Sequence, residues 1–466
     1  MKIMSPTGHL GFTPLEKGSF DAGLAEQPDV IVADSGSADI GPYPLGADLA
    51  HSPAEWQRHD LEICLLGARR LGIPLIIGSA SDTGTDRGVD AYVAIIEELA
   101  AIHGLAPFRL AAIYSEIKPA RLRRAMEAGC AVTGLNGRPD ADLATIDRTD
   151  HVVAVMGVEP VAEALRAGAD VVICGRSSDS AIFAAAAEAL GGLPRSTALL
   201  AGKLLECASF CAEPFMGKET VIGELDADGV TLYPMHPEQR CTPASVASHA
   251  MYERIDPYSE SIPGGHLDMR QLSFQALDER RTRVTGARWV PSDQYRVKLE
   301  GAGKTGERAI AIMGIRDPYT LSRLDDVIAW SRHKLVERYG APEQRGYQVY
   351  FHVYGRDGVM GALEPRAVIG HEVGIVVEAV AATAEAAETI CALASRNLFY
   401  GRLPDVKGTA GGASFFSDEV FRARPAYEWT LNHVITLDDT PAATELAKEL
   451  FRTVHRTVGA EQEVPA

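Results

Sequence analysis

The stretch Ala167-Gly-Ala-Asp-Val-Val-Ile-Cys-Gly-Arg-Ser-Ser-Asp-Ser180 decides the fold class. Its Ala-Gly closes an amphipathic run that starts at Glu159, and glycine suits the left-handed position that ends a helix. Asp170-Val-Val-Ile-Cys174 is a short continuous apolar run, the pattern of a strand buried on both faces. Gly175-Arg-Ser-Ser-Asp179 is turn and N-cap material, and helical spacing resumes from Ser180 to Leu190. Helix, strand, loop and helix in direct succession form one unit of a parallel sheet covered by helices.

The same alternation extends to both sides. Buried strands are expected at 29–33, 73–78, 109–114, 131–134 and 152–156, with helices at 60–71, 88–103, 118–128 and 159–167. Arg124–Gly134 echoes Ala164–Gly175, as successive αβ units do. Past about 215 the texture changes. Glu219–Tyr233 reads as a hairpin turning at Asp226-Ala-Asp-Gly229. Strands at 282–290, 295–301, 309–315, 347–354, 373–380 and 427–435 mix with helices at 242–254, 321–339 and 383–399. The expected class is α/β, a parallel sheet with flanking helices (Rossmann-like), plus a C-terminal α+β domain. The expected domains are 1–215, carrying the rim loops, and 216–466, closing the cleft.

Composition excludes whole classes of function. The chain has 466 residues, 46% hydrophobic and 23% charged, so a large core is within reach and bulk disorder is not expected. Its formal charge of −18 gives no basic footprint for nucleic acid and no affinity for an anionic membrane. An anionic metabolite would need a local basic pocket against that field. The first residues lack the apolar run of a secretory leader, and no stretch approaches the length of a membrane span. Seven cysteines without a CxxC pair argue against a disulfide framework and for the cytoplasm. Cys207 and Cys211, at helical spacing, are expected to be small buried hydrophobes.

In an open parallel sheet the ligand sits beyond the carboxyl ends of the strands, so the loops there carry the candidate residues. They are Asp34, Ser35, Ser37 and Asp39 after the first strand, and Ser79, Ser81 and Asp82 after the second. Glu116 follows the third, Asn136 the fourth, and Arg176, Ser177 and Asp179 the sixth. Hydroxyls and glycine-freed N–H groups at helix starts cradle anions, and carboxylates serve as acid, base or cation ligand. Each loop also has a purely structural reading as an N-cap or turn. Arg176 offers a bidentate carboxylate contact or a salt bridge to Asp179. Lys203 and Glu206 share a helix face, as an exposed ion pair or as a pair within the site. His352 and Arg356 flank a strand end in the second domain. Pro263–Asp268 and Gly408–Ser414 are loops able to act as lids. The nucleotide-binding GxGxxG and Walker A patterns, GxSxG and HExxH are all absent.

Ala167–Ser180, with Leu199-Leu-Ala-Gly-Lys-Leu-Leu-Glu-Cys207, resembles the core of the acyclic terpene utilisation (AtuA-type) family. Val284–Arg288, Tyr295–Glu300 and Glu428–His433 with Asp438-Asp439 fit the resemblance, which spans nearly the whole chain. The chain departs from the family pattern at His236–Thr242 and at Asp34–Asp39, so substrate identity is not carried over. The resemblance implies a cytoplasmic catabolic enzyme of carboxylic acids or their thioesters with a small companion protein; a homo-oligomer is expected besides.

Three functions stay open. The first is a hydratase or dehydratase of a small unsaturated or 2-hydroxy (di)carboxylate. Asp82, Glu116, Asp179 and His352 would be its acid–base groups. Arg176, Arg356, Ser35, Ser37, Ser79, Ser81, Asn136 and Ser177 would bind substrate. Asp34 and Asp39 would hold a divalent Mg or Mn ion. The second is a CoA-thioester isomerase or a transferase with Glu116 or Glu206 as nucleophile. The third is a non-catalytic metabolite-binding subunit of a partner enzyme.

Overall fold

A computed structural model describes every residue except 402, 406–411, 417–418, 439 and 460–466. Most of the Gly408–Ser414 loop and Asp439 therefore lie outside the described residues. The chain forms two compact units, residues 1–303 with 429–466 and residues 304–428. The boundary expected near 215 falls inside the first unit. The change of texture there is the point where one sheet turns from parallel to antiparallel.

That sheet has ten strands and dominates the first unit. Its centre is five parallel strands in the order Lys2–Ser5, Val30–Gly36, Leu75–Asp82, Val171–Cys174, Phe108–Ile113. The Val221–Leu225 and Gly229–Pro234 hairpin adds antiparallel beside Lys2–Ser5, followed by Thr282–Thr285 and Ser273–Ala276. Thr453–Val458 closes the other edge, antiparallel to Phe108–Ile113. The order of the parallel strands steps in one direction before folding back at Phe108–Ile113. This differs from the Rossmann order, which reverses beside its first strand.

Helices cover both faces. Ala54–Leu71 and Asp86–Ile102 bury Leu61, Leu65, Val89, Tyr92 and Ile96 against one side. Val158–Arg166, Asp179–Gly191 and Arg195–Leu205 pack on the other through Val161, Phe183, Leu200 and Leu204. The Ile182–Ala187 stretch is buried all round, so it carries no solvent stripe. None of the helices among the described residues is long and apolar enough to cross a membrane.

Two strands expected in the parallel sheet belong elsewhere. Val132–Gly134 pairs antiparallel with residues 433–435, and His151–Ala154 with residues 299–302. Short apolar runs report burial, not the partner strand. The expected strand at 282–290 is broken at Gly286, whose φ of 96° ends Thr282–Thr285 before Arg288–Pro291.

The second unit lies between Gly303 and Trp429 in the chain. The strand Tyr295–Ile315 enters it, and its later part pairs antiparallel with Val373–Ala381, which pairs with Gln348–Tyr354. Short strands Ser414–Phe415 and Phe421–Arg422 flank the other side. Helices Leu324–Tyr339 and Ala384–Phe399 bury their apolar residues in this unit's core. The element order β-α-β-β-α-β, with the first and third strands central, is a split βαβ arrangement.

Candidate functional site

Three rim loops of the parallel sheet meet because two glycines allow it. A Cβ on Gly84 would stand 2.2 Å from the Arg176 backbone nitrogen, and one on Gly175 would stand 2.4 Å from Ser115 Oγ. Ser79, Ser81 and Asp82 adopt φ of 45°, 56° and 72°, left-handed values that cost non-glycine residues about 1–3 kcal/mol each. The Asp82 carboxylate secures this backbone. It accepts from the N–H groups of His51 and Ser52 at 2.9 Å, from Gln57 Nε2 at 2.9 Å, and from Ser52 Oγ and His9. Burial alone would raise its pKa, but the hydrogen bonds from His9 and Ser52 outweigh it and hold the group ionised.

Arg176 is the hub of the site. Its Nε donates to Glu300 Oε2 at 2.9 Å, and Nη1 donates to Ser79 Oγ at 3.0 Å and Asp179 Oδ1 at 3.4 Å. Lys298 Nζ donates to Glu300 Oε1 at 2.7 Å. Burial opposes ionisation of Glu300, yet Arg176 and Lys298 hold it down at about 2. Arg296, Lys298 and Glu300 alternate along their strand with the buried Val297 and Leu299, so all three share one face.

That face forms part of a cleft of about 490 Å³, within the range of small-molecule sites. Ser177, Ser178 and Asp179 line it at the start of the Asp179–Gly191 helix, whose N-cap Ser178 makes no side-chain cap. A helix start left open in this way favours an anion. The opposite wall is Lys203 and Glu206. A Cβ on Gly202 would come within 2.1 Å of the Ser180 carbonyl, so glycine lets the Arg195–Leu205 helix close onto the first turn of its neighbour. The Ser259–Ile262 and Gly265–Asp268 hairpin contributes Glu260, Pro263, Gly264, Gly265 and His266. It is anchored by Ser180 Oγ donating to Glu260 and by Arg254 Nη2 donating to Glu260 Oε2 at 2.9 Å. All of these lining residues lie in the first unit.

Two carboxyls in the cleft hold their protons unusually well. Asp179 keeps 39% side-chain exposure, yet its carboxyl is pushed well above the ordinary range. Burial is the main cause, with Asp34, Glu206 and Glu300 adding to it against the pull of Arg176. Glu206 is pushed up to about 7 by burial, partly offset by Lys203, whose ammonium donates to it. Lys203 also sits 4.3 Å from the Tyr252 ring centre. Behind it His249 is buried and held down to about 3 by burial and by the charges of Lys203 and Arg254.

Of the expected site residues, Arg176, Ser177 and Asp179 line the cleft, and Ser79 supports Arg176 from behind. Asp34 is buried beside Arg176, with Oδ1 unpartnered, and its pKa is raised by burial against that arginine. Asp39 is exposed on a single helical turn. Among the described residues no three His, Cys, Asp or Glu are grouped to hold a metal ion. Ser35 is buried, bonded to the Leu10 carbonyl and Tyr92. Ser37 caps the turn that carries Asp39, and Ser81 is buried. Asn136 is exposed, while its neighbour Leu135 reaches the cleft. Glu116 accepts from Lys118, His151 and the Asp86 N–H; burial is overcome and its pKa falls to about 2. It does not line the cleft.

His352 and Arg356 lie in the second unit. There His352 Nε2 is 2.9 Å from Glu378 Oε2, and Arg356 pairs with Asp325 and Asp357. Lys203 and Glu206 are 1% and 8% exposed at their side chains and line the cleft, so of the two readings of this pair the exposed one is excluded. Helical spacing places two residues on one face without saying what covers that face. Cys207 and Cys211 do not share a helix, because Arg195–Leu205 ends before them; Cys211 Sγ lies 3.8 Å from Cys241 Sγ. Sequence reasoning passed over Arg254, Glu260, Arg296, Lys298 and Glu300 as site residues. The two-residue alternation from Tyr295 to Glu300 was the available signal for the last three.

No curated protein and no solved structure matches the chain. The model of the family described as "Acyclic terpene utilisation family protein AtuA" matches residues 1–431, and the chain belongs to that family.

Proposed function

We propose that the protein is an acid–base lyase that adds or removes water across the double bond of a small carboxylic acid. The observation that carries this reading is Asp179, a carboxyl with a raised pKa at an open helix start, hydrogen-bonded to Arg176 within a charged cleft. An acid of that kind donates a proton near neutrality, where an ordinary aspartate cannot. The substrate carboxylate would lie at the helix start beside Arg176 and Lys298, which stabilise the charge that spreads into it during reaction. In the hydration direction Asp179 gives its proton to the carbon next to that carboxylate. Water adds its oxygen to the far carbon and loses a proton to ionised Glu206. Dehydration reverses each transfer. Asp82 and Glu116, held ionised by their own partners, shape the rim and its flank instead of exchanging protons.

Cytoplasmic residence, a homo-oligomer and a small companion protein belong to the same proposal and rest on the family membership and on the free cysteines. The test is proton NMR in D2O with unsaturated and 2-hydroxy acids, run with EDTA and with added Mg or Mn. Hydrated product or deuterium next to the carboxylate is expected, and Asp179→Asn is expected to slow it by about a hundredfold or more. Silence of the folded protein under every condition would sink the reading. Glu206 in the cleft wall keeps a thioester route in view, and a covalent mass adduct at Glu206 with an acyl-CoA would favour a transferase.

A further inference from the structure

The charges of the cleft speak to the class of acid it takes. Five cations line it: Arg176, Lys203, Arg254, Arg296 and Lys298. Five carboxylates line it as well, Asp179, Glu206, Glu253, Glu260 and Glu300, and burial pushes the first two toward their neutral forms. With those two held toward neutrality the cleft leans positive, inside a protein whose formal charge is −18. Such a local reversal of sign matches a doubly charged anion.

Two of the cations have capacity to spare. Arg296 makes no ion pair among the described residues and is exposed at the rim. Arg254 binds Glu260 through Nη2, while its Nη1 is buried without a hydrogen-bond partner. An unpartnered buried guanidinium nitrogen is costly, and a ligand drawn into this wall would relieve that cost. Arg254 and Arg176 also belong to different hydrogen-bonded sets. Arg254 follows the Pro243–Met251 helix and is tied through Glu260 to Ser180, whereas Arg176 is tied to Glu300.

We propose that the cleft is a dicarboxylate site, with one carboxylate at the open helix start beside Arg176 and the second taken by Arg254 and Arg296. The inference rests on the carboxylate reading of the cleft but not on the lyase chemistry. It makes Arg254 and Arg296 the residues that distinguish a diacid from a monoacid.

The test is calorimetric titration of the full chain with succinate, maleate and fumarate, and with the monoacids butyrate and crotonate. The diacids are expected to bind about tenfold tighter or more than monoacids of the same length, the worth of one charge-assisted contact. Arg254→Gln and Arg296→Gln are each expected to cut that ratio by about tenfold. Arg296 is exposed, so its variant keeps the test sound should Arg254→Gln disturb the hairpin. Equal affinity for both classes, or an unchanged ratio in both variants, would overturn the proposal. A diacid preference without any proton exchange would keep this site and remove the lyase. Exchange on monoacids as fast as on diacids would keep the lyase and remove the second subsite. No heat with any acid would remove both.

Discussion

At the residue scale, carboxylates of one chemical type fall into two groups, and their surroundings decide which. Glu116 and Glu300 are buried but supplied with cations, and both are held at about 2. Glu206 is buried with one lysine and other carboxylates nearby, and it sits at about 7. The sign of the stability effect follows. Glu116 has a folded pKa below its unfolded value, so its contribution is complete above about pH 4.5 and fades as pH falls toward 2. Glu116→Gln should therefore cost about 1–3 kcal/mol at pH 7, allowing for screening, and almost nothing at pH 2. Urea unfolding at the two pH values measures this, and an equal loss at both would refute the charge-based account. Glu206 works in the opposite sense: its raised pKa makes the folded state less stable as pH rises from about 4.5 to about 7. None of this was legible in the chain, because burial and partners set a pKa, and the sequence of Lys203 to Glu206 reveals neither.

At the scale of elements, the site depends on how closely two helices approach. Gly202 sits where any side chain would strike the Ser180 carbonyl, so the Lys203–Glu206 wall reaches Asp179 only with glycine there. Gly202→Ala should destabilise the fold by about 1–3 kcal/mol through overpacking and weaken succinate binding at the same time. A variant that loses stability yet binds succinate normally would show that the approach serves packing alone. The units around Gly175 were readable because helix, strand and turn signals agree locally. Val132–Gly134 and His151–Ala154 were misplaced because their partners lie far along the chain, at 433–435 and 299–302. The same reason hid Glu300: its role comes from pairing with Arg176 across more than a hundred residues. Helix ends at 191 and 399 were read nearly correctly, as expected of spacing that needs no distant partner.

At the scale of the whole molecule, a chain of formal charge −18 carries a cleft lined by five cations, where two of the facing carboxyls are pushed toward neutrality. A dicarboxylate approaching a protein of charge −18 is repelled at long range and attracted only close to the cleft. Salt screens the long-range part first, with a Debye length of about 8 Å near physiological ionic strength. The association rate of succinate should therefore rise as ionic strength is raised from about 0.01 M to about 0.15 M, the reverse of ordinary steering. Stopped-flow kinetics or NMR line shapes would show it, and a rate that falls with salt would mean the cleft's own field extends beyond the surface. The residues named in the cleft lining all belong to the first unit, and the second is inserted in the chain between Gly303 and Trp429.

Thr453–Val458 lies along Phe108–Ile113, covering that edge of the ten-strand sheet with residues made hundreds of positions later. As the chain emerges from the ribosome, the 108–113 strand must wait with unpaired N–H and carbonyl groups on one side, through synthesis of the entire second unit. An open edge recruits other strands, including those of neighbouring nascent chains. The danger of aggregation thus lasts through most of translation, and a premature stop upstream of Thr453 would make that transient hazard permanent.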